Sequence, residues 1–253
     1  MKNILILSPH PDDESVGLAV TIRKMKREGF KVYIFFLTSG VIAQKDLWIW
    51  NRNKYKSFLK ARINEMKESM NFLKINDYFF QDVPTRYLKS NIVQTIKKIK
   101  EIIIKKKIDT LFVPAYEGGH QDHDIANFIG FNFKHELNVY EFAEYNNSSN
   151  QLISNNFIRK TGNEIIYKLN QEEVNYKNIA LSIYVSEVKN LSYIKTNQES
   201  YRPIVNYDYS KPPHCGVLFY RRYSFFSWHP RVDSTNPDEI SRIIVSYGER
   251  NEF

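Results

Sequence analysis

The stretch NILILSPHPDDE, residues 3–14, decides the fold of this chain. Its first half is a short run of Ile and Leu, which is typical of a strand buried on both faces of a parallel sheet. A polar cluster, residues 10–14, follows at once, and a helical pattern of apolar residues then covers residues 15–28. A strand, a polar turn and a helix in this order predict the first half of a βαβ unit.

The same alternation continues to residue 145 and predicts an α/β fold with a mostly parallel sheet and helices on both faces. Gly29 ends the first helix, because glycine is favoured just after the last helical turn. The lysines at 105–107 complement the negative end of a helix dipole, which is a simpler interpretation than a nucleic-acid patch. Further strands are predicted over residues 31–37, 77–82, 109–114 and 137–145, and further helices over residues 54–73, 91–107 and 124–133.

The pattern changes beyond residue 145. A turn-rich run, residues 146–150, interrupts the alternation, and a helix is predicted over residues 173–191. The remainder is rich in proline and aromatic residues and is expected to wrap irregularly over the sheet. We interpret its aromatic residues between Phe219 and Trp228 as packing residues. No linker-like composition divides the chain, so we expect one domain over residues 1–253.

Composition restricts the expected location of the protein. The N-terminal apolar run is too short for a signal peptide, and no window approaches the roughly 18 apolar residues of a membrane span. A lone cysteine, Cys215, cannot form an internal disulfide and excludes a zinc site built from several cysteines. We therefore expect a soluble cytoplasmic protein.

The formal net charge is +8. Nucleic acid, an anionic membrane surface or a phosphorylated small substrate could each exploit such a charge. The simpler interpretation is a lysine-rich surface in water. We expect no nucleic-acid partner, and peripheral membrane contact stays open.

A second polar cluster, HQDH at residues 120–123, follows the predicted strand 109–114. The carboxyl ends of parallel strands share one edge of a sheet, so this cluster and residues 10–14 should face one crevice. The loops expected at that rim comprise residues 9–14, 38–50, 82–90, 114–123 and 141–146.

These two clusters offer a metal site. His10 and Asp13 lie three positions apart on a tight turn and can converge, and His123 could complete a set of three nitrogen and oxygen ligands. Three protein ligands leave a fourth position for water, which is the arrangement of a catalytic metal site and favours hydrolysis of an amide or ester.

Neighbouring side chains could move the protons. Asp12 could take a proton from water, and His120 could donate one to the leaving nitrogen or stabilise the oxyanion, with Asp122 orienting its ring. A simpler alternative is that residues 12–14 only cap the following helix and that the two histidines belong to the surface. Finding both clusters between a predicted strand and a predicted helix favours the catalytic interpretation.

Residues 8–14 and 118–123 closely resemble the two signatures, HPDDE and HPDH, of the LmbE-like or PIG-L family of zinc-dependent N-acetylglucosaminyl deacetylases. The resemblance implies a Rossmann-like core over residues 1–145 and a C-terminal part, residues 146–253, that completes the site and covers the sheet. It also implies one Zn²⁺ per chain and an N-acetylated sugar or sugar conjugate as substrate. Gln121 stands where the family usually has proline. The residue roles implied by the family agree with those above: metal ligands His10, Asp13 and His123; general base Asp12; acid or oxyanion stabiliser His120, supported by Asp122.

Substrate-binding residues are predicted from weaker signals. Arg62, three residues before Glu65, resembles the family's Arg-x-x-Glu, in which the arginine reaches the substrate; the alternative is a surface salt bridge. The rings of Trp48, Trp50 and Tyr116 and the carboxylate of Glu117 could bind sugar faces and hydroxyls, or could anchor a loop and form a rim ion pair.

The preferred function is therefore metal-dependent deacetylation of an N-acetylated amino sugar, free or within a nucleotide sugar, glycoconjugate or natural product. One alternative is hydrolysis of a non-sugar acyl amide. Another is a non-catalytic nucleotide or nucleic-acid binding module, but no glycine-rich phosphate loop follows the first strand. The same ligands would also accept Fe²⁺ or Co²⁺, and oligomeric state is not predicted.

Overall fold

The computed structural model describes residues 2–249, and a seven-stranded sheet forms their centre. The strands are β1 (Asn3–Ser8), β2 (Lys31–Phe36), β3 (Tyr78–Phe80), β4 (Thr110–Pro114), β5 (Asn138–Phe142), β6 (Tyr145–Asn146), β7 (Ile153–Ser154), β8 (Ile165–Lys168) and β9 (Gln198–Pro203). The order in the sheet is β3-β2-β1-β4-β5-β9-β8, and β6 pairs with β7 separately. The first five strands are parallel, whereas β9 and β8 are antiparallel to their neighbours.

Seven α-helices accompany the described strands: α1 (Asp13–Arg27), α2 (Tyr55–Phe72), α3 (Ile92–Lys106), α4 (Gln121–Phe131), α5 (Gln171–Ser182), α6 (Val188–Leu191) and α7 (Pro237–Glu249). They lie on both faces of the sheet, as β1 illustrates. Ile4 and Ile6 pack into one apolar cluster with α1 and α2, and Leu5 and Leu7 pack into the opposite cluster with α3 and α4. Alternation of side chains along a strand buried on both faces produces this continuous apolar sequence.

The first half of the chain confirms the predicted α/β fold with its mostly parallel sheet. The observed β1, Asn3–Ser8, contains the run of Ile and Leu that predicts a strand, and Gly29 follows α1 with a φ of +81°. Most other boundaries differ from the predicted ones by one or two residues, and two differ by three. β5 ends at Phe142 rather than at residue 145, and α4 begins at Gln121 rather than at residue 124, because the His120 side chain caps the helix by accepting a hydrogen bond from the backbone N–H of Asp122.

The prediction of one helix over residues 173–191 was wrong. α5 ends at Ser182, and the chain turns at Tyr184 before the short helix α6. Tyr184 is fully buried, and its hydroxyl donates to Oε1 of Glu14 at 2.7 Å. The turn is therefore packed against α1 through this buried side chain, and tertiary packing overrides the helical pattern here.

The expectation of an irregular part beyond residue 191 holds for residues 204–236, which contain only two short 3-10 turns, but β9 and α7 are regular elements. The sequence did not predict β9, because the polar residues of this strand are buried in ion pairs rather than exposed. Glu199 lies 3.3 Å from the amine of Lys177, and Arg202 lies 2.6 Å from a carboxylate oxygen of Glu141. Strand propensity and alternation give no signal for such a sequence.

The aromatic residues near the C-terminus divide into two groups. Phe219 and Tyr220 are buried, as expected for packing residues, but Tyr223, Phe225, Phe226 and Trp228 are exposed, which corrects that interpretation for them. None of the helices within residues 2–249 combines the length and apolar character that a bilayer crossing requires.

Candidate active site

Three side chains meet at the carboxyl ends of β1 and β4. The distance from His10 Nδ1 to Asp13 Oδ2 is 3.1 Å, from His123 Nε2 to Asp13 Oδ2 is 3.3 Å, and from His123 Nε2 to His10 Nδ1 is 3.2 Å. All three residues are buried. His10 precedes α1, Asp13 begins it, and His123 lies in the first turn of α4. We call this set the ligand triangle.

The ligand triangle fits a tetrahedral metal ion. Ligand bonds of roughly 2.0–2.1 Å at tetrahedral angles separate the ligand atoms by about 3.3–3.4 Å, close to the three observed edges. Two imidazoles and one carboxylate suit zinc and other divalent transition metals. Burial would raise the pKa of Asp13, but His123 and His10 outweigh it and hold that pKa well below its usual value, so the carboxylate is ionised.

The far nitrogen of His10 is held by residues that the sequence did not single out. Its Nε2 lies 2.9 Å from Thr85 Oγ1 and 3.2 Å from Asp122 Oδ2. The same Asp122 oxygen accepts the backbone N–H of Arg86 at 2.7 Å. A carboxylate on Nε2 favours the tautomer that leaves Nδ1 free to bind a metal. The loop 82–90 was expected at this rim, but nothing in its residue types marked Thr85.

His123 has a corresponding carboxylate. Its Nδ1 lies 3.6 Å from Oε2 of Glu144, which is buried just after β5. Burial raises the pKa of Glu144 well above its usual value, and the nearby Asp13 adds to this effect. Sequence reasoning missed Glu144 because it was assigned to the predicted strand 137–145.

Asp12 lies at the edge of the ligand triangle with an unusual backbone. Its φ is +139°, a conformation that is rare for residues other than glycine and that concentrates at functional sites. Its side chain does not cap α1; instead Oδ2 accepts a hydrogen bond from Arg62 Nη2 at 2.8 Å. Burial raises the pKa of Asp12 to about 8, against the opposing effect of Arg62. The capping alternative is therefore wrong for Asp12.

Arg62 reaches this site from α2. The side chain is 3% exposed, and Nη1 donates to Ser186 Oγ at 3.2 Å. Glu65 lies 3.7 Å away and Glu187 3.8 Å away. The predicted proximity of Arg62 to Glu65 is present, but a surface salt bridge is the wrong description of a buried arginine whose shortest ion pair is with Asp12.

His120 stands beside His10, with ring centroids 4.4 Å apart. Its Nδ1 accepts the backbone N–H of Asp122 at 3.1 Å, so the ring proton belongs on Nε2. Burial, together with His10, lowers the pKa of His120 to about 3, so the ring is neutral. The carboxylate of Asp122 is 3.6 Å from Nδ1 and bonds instead to His10, Thr85 and Arg86, so the backbone of Asp122 rather than its side chain orients His120.

The contacts of Gln121 explain why glutamine stands where the family usually has proline. It is the first residue of α4, where proline is normally favourable. Its side chain is fully buried, and its amide nitrogen donates to Asp233 Oδ2 at 2.6 Å and to Thr235 Oγ1 at 2.9 Å. The glutamine thus ties the start of α4 to the C-terminal segment, which a proline could not do.

The other predicted substrate residues make their contacts with groups outside the ligand triangle. Tyr116 packs in the apolar core, and its hydroxyl donates to the Lys211 carbonyl at 2.8 Å. Glu117 is buried, accepts the backbone N–H of Ile158 at 2.7 Å, and has its pKa raised to about 8 by burial. The rings of Trp48 and Trp50 stack on each other with centroids 4.8 Å apart. The structure therefore brings together Asp12, Arg62, His120, Asp122 and the ligand triangle, but not these four residues.

Comparison with known proteins yields one family. Residues 5–134, about half of the chain, match the model of the PIG-L family, described as GlcNAc-PI de-N-acetylase. A diacetylchitobiose deacetylase of Thermococcus kodakarensis is 31% identical over 137 residues, which cover 51% of this chain and 48% of that protein. A 1D-myo-inositol 2-acetamido-2-deoxy-alpha-D-glucopyranoside deacetylase of Thermomonospora curvata is 25% identical over 150 residues, covering 51% and 50%. The chain thus aligns with about half the length of both relatives.

A solved structure shows the same fold over a longer range. A deacetylase from the biosynthesis pathway of teicoplanin superimposes with a TM-score of 0.65 over 82% of this chain and 99% of that one. Sequence identity is 15%, so this likeness concerns the fold alone. The superposition includes regions beyond the 130 residues that the family model matches.

Proposed function

Because the chain belongs to the GlcNAc-PI de-N-acetylase family, PIG-L, we propose that it is a metal-dependent hydrolase that removes the acetyl group from an N-acetylated amino sugar. The observation that carries the proposal is the ligand triangle of His10, Asp13 and His123 with Asp12 at its edge. The two deacetylases that share sequence with this chain support the choice of an acetylated amino sugar.

The reaction replaces the amide bond with water. The water oxygen forms a bond to the acetyl carbon, the bond from that carbon to nitrogen breaks, and acetate and a free amine result. A metal ion at the ligand triangle supplies Lewis acidity, which polarises the amide carbonyl and makes water more acidic. Asp12 accepts the proton that the attacking water loses, and Arg62 holds the carboxylate in place at 2.8 Å.

His120 acts on the other side of the reacting carbon. Its Nδ1 is occupied by the Asp122 backbone, so Nε2–H is the group available for donation. A neutral imidazole can donate a hydrogen bond to the negative oxygen that develops during attack. The proton that Asp12 takes from the water is then available to the leaving nitrogen. Asp122 acts mainly through His10, whose Nε2 its carboxylate contacts.

The proposal includes Zn²⁺ as the metal, one per chain. It also treats residues 1–253 as one functional unit in a reducing cytoplasm, in which the C-terminal part completes the site. Contacts that cross between the two parts support the second point. Arg86, next to Thr85, donates to the carbonyls of Pro230 and Arg231 at 2.9 and 2.8 Å, and Gln121 donates to Asp233.

Acetate release from a panel of N-acetyl amino sugars and their UDP conjugates tests the proposal. Protein stripped of metal should be inactive, and stoichiometric zinc should restore release from at least one substrate. The variant H123A should bind less metal and release no acetate, whereas H135A, at an exposed histidine, should match the wild type. If zinc binds in the ligand triangle and no sugar is hydrolysed while a non-sugar acyl amide is, the substrate class is wrong.

A further inference from the structure

An exposed group of aromatic rings lies beside the site, and its rings touch in a continuous chain. Trp50 stacks on Trp48 at 4.8 Å, Trp48 lies 6.1 Å from Trp228, Trp228 lies 6.4 Å from Phe226, and Phe226 lies 5.4 Å from Phe225. We call these five residues the aromatic patch. Phe225 is 88% exposed and Trp228 66%. Contiguous exposed rings of this kind usually mark an interaction surface.

The two segments that form the aromatic patch are strongly basic. Residues 44–56 and 217–232 together carry seven Lys or Arg residues and one acidic residue, Asp46. That carboxylate accepts a hydrogen bond from the Tyr87 hydroxyl at 2.8 Å. Lys54 and Lys56 are exposed close to Trp50 in the chain. The aromatic rings are thus flanked by positive charges that few acidic residues in these segments compensate.

Both segments are fixed to residues adjoining the active site. Arg86 donates to the backbone carbonyls of Pro230 and Arg231, which follow Trp228. The next residue, Tyr87, holds Asp46 and lies under the Lys45 amine, 4.8 Å from its ring centroid. Thr85, just before them, contacts His10. The loop 85–87 therefore holds the aromatic patch beside the rim that carries the ligand triangle.

We propose that the aromatic patch is a docking surface for an anionic lipid bilayer. Tryptophan and phenylalanine rings partition into the boundary between headgroups and acyl chains, and neighbouring lysines and arginines are attracted to anionic headgroups. The exposed apolar rings match the acyl-chain side of that boundary, and the basic flanking residues match its anionic headgroup side. Docking would place the rim of the active site close to the membrane surface, and it requires no helix that crosses the bilayer.

The chain has a built-in reporter for this interaction. All three of its tryptophans, at positions 48, 50 and 228, belong to the aromatic patch. Metal-loaded wild-type protein should sediment with vesicles of phosphatidylcholine and phosphatidylglycerol, and its tryptophan emission should shift to shorter wavelength. Brominated acyl chains should quench that emission. Vesicles of phosphatidylcholine alone, or high salt, should reduce binding strongly because screening weakens the attraction between lysines and anionic lipids.

Matched variants separate the aromatic patch from general surface properties. F225S should weaken vesicle binding roughly tenfold, since an apolar ring no longer enters the interface. The control I104S removes an apolar side chain of similar exposure from α3 and should bind as the wild type does. The double variant K54Q/K56Q should weaken binding about 30-fold, whereas K97Q/K100Q on α3 should have a much smaller effect.

Three results would overturn the proposal. The first is absence of binding to anionic vesicles, and the second is equal loss of binding in I104S and F225S. The third is a change of oligomeric mass in F225S, which would assign the patch to contact between copies of this chain. In the first case, saturable quenching of tryptophan emission by a soluble chito-oligosaccharide would assign the patch to a glycan. H123A should still bind vesicles, so this test is independent of the proposed reaction.

Discussion

The loop 85–87 contacts both the ligand triangle and the segments of the aromatic patch, and the two are built on opposite principles. In the ligand triangle, buried polar groups are held within 3.1–3.3 Å of one another, and each histidine has a carboxylate near its far nitrogen. In the aromatic patch, four of the five rings are exposed, Trp48 is partly buried, and neighbouring centroids lie 4.8–6.4 Å apart. The first depends on exact atomic positions, and the second depends on composition and exposure. Substitutions should therefore act on them in different ways.

The largest effect is expected at Asp12. D12N removes the carboxylate base but keeps the size of the side chain and the ligand triangle, so kcat should fall about 10²–10⁴-fold with metal content unchanged. W228S, in the aromatic patch, should keep the kcat of the wild type on a soluble substrate. Metal analysis and acetate release on the same samples measure both. Full turnover by metal-loaded D12N would show that another group accepts the proton.

A smaller effect is expected from the carboxylate behind His123. E144Q replaces the carboxyl group near Nδ1 with an amide, and loss of such a partner typically lowers metal affinity about 10–100-fold. Competition with a zinc chelator measures that affinity. E101Q, at an exposed glutamate of α3, is the control and should leave the affinity unchanged. Equal affinities for E144Q and wild type would show that Glu144 does not support the ligand.

Thr85 should matter less than Glu144, because Asp122 also contacts His10. T85V keeps the side-chain volume but removes the hydroxyl that lies 2.9 Å from His10 Nε2, and we expect metal affinity or kcat to fall about tenfold. T85S retains the hydroxyl and should recover most of the loss. A decrease of the same size in T85S would indicate a packing effect rather than a lost hydrogen bond.

Gln121 tests the connection between the site and the C-terminal part. Q121P suits the first position of α4 but loses two buried hydrogen bonds, so the free energy of unfolding should fall by about 1–3 kcal/mol. Activity should change only a few-fold, because the reactive side chains lie on neighbouring residues. Thermal unfolding and kcat on a soluble substrate provide the two readouts. An unchanged unfolding temperature would show that the bonds to Asp233 and Thr235 contribute little.

The smallest effect on the folded protein is expected from the aromatic patch itself. F225S replaces an exposed ring, so the free energy of unfolding should change by no more than about 0.5 kcal/mol. F219S should lower the free energy of unfolding several times more, because Phe219 is buried and its replacement removes packing contacts. Similar losses in both variants would contradict the exposure of Phe225.

These contrasts show what the sequence could predict. β1 and the residues that follow it were predictable because each element is marked locally, by an apolar run or by residues with metal-binding chemistry. The convergence of residues 10–14 with residues 120–123 followed from the rule that parallel strands end on one edge. Prediction of the fold, and of the convergence of these two clusters, therefore required no knowledge of long-range contacts.

The missed features depend on contacts between distant parts of the chain. The residues next to Thr85 and Glu144 in the sequence give no sign of a functional role. These two side chains come close to His10 and His123 only in the folded chain. β9 buries Glu199 and Arg202 against partners from α5 and β5, which its own sequence does not indicate. Exposure of Trp228 and Phe225 was also unpredictable, because aromatic residues in a proline-rich segment are more often packed.

Zinc titration of metal-free protein, with bound metal and acetate release measured on each sample, is the decisive test of metal-dependent deacetylation at the ligand triangle. We expect turnover of an N-acetylated amino sugar to rise with zinc until one equivalent is bound. D12N should bind the same equivalent with little turnover, and H123A should bind far less. Acetate release that is independent of metal, or that is equal in D12N and wild type, would contradict this mechanism.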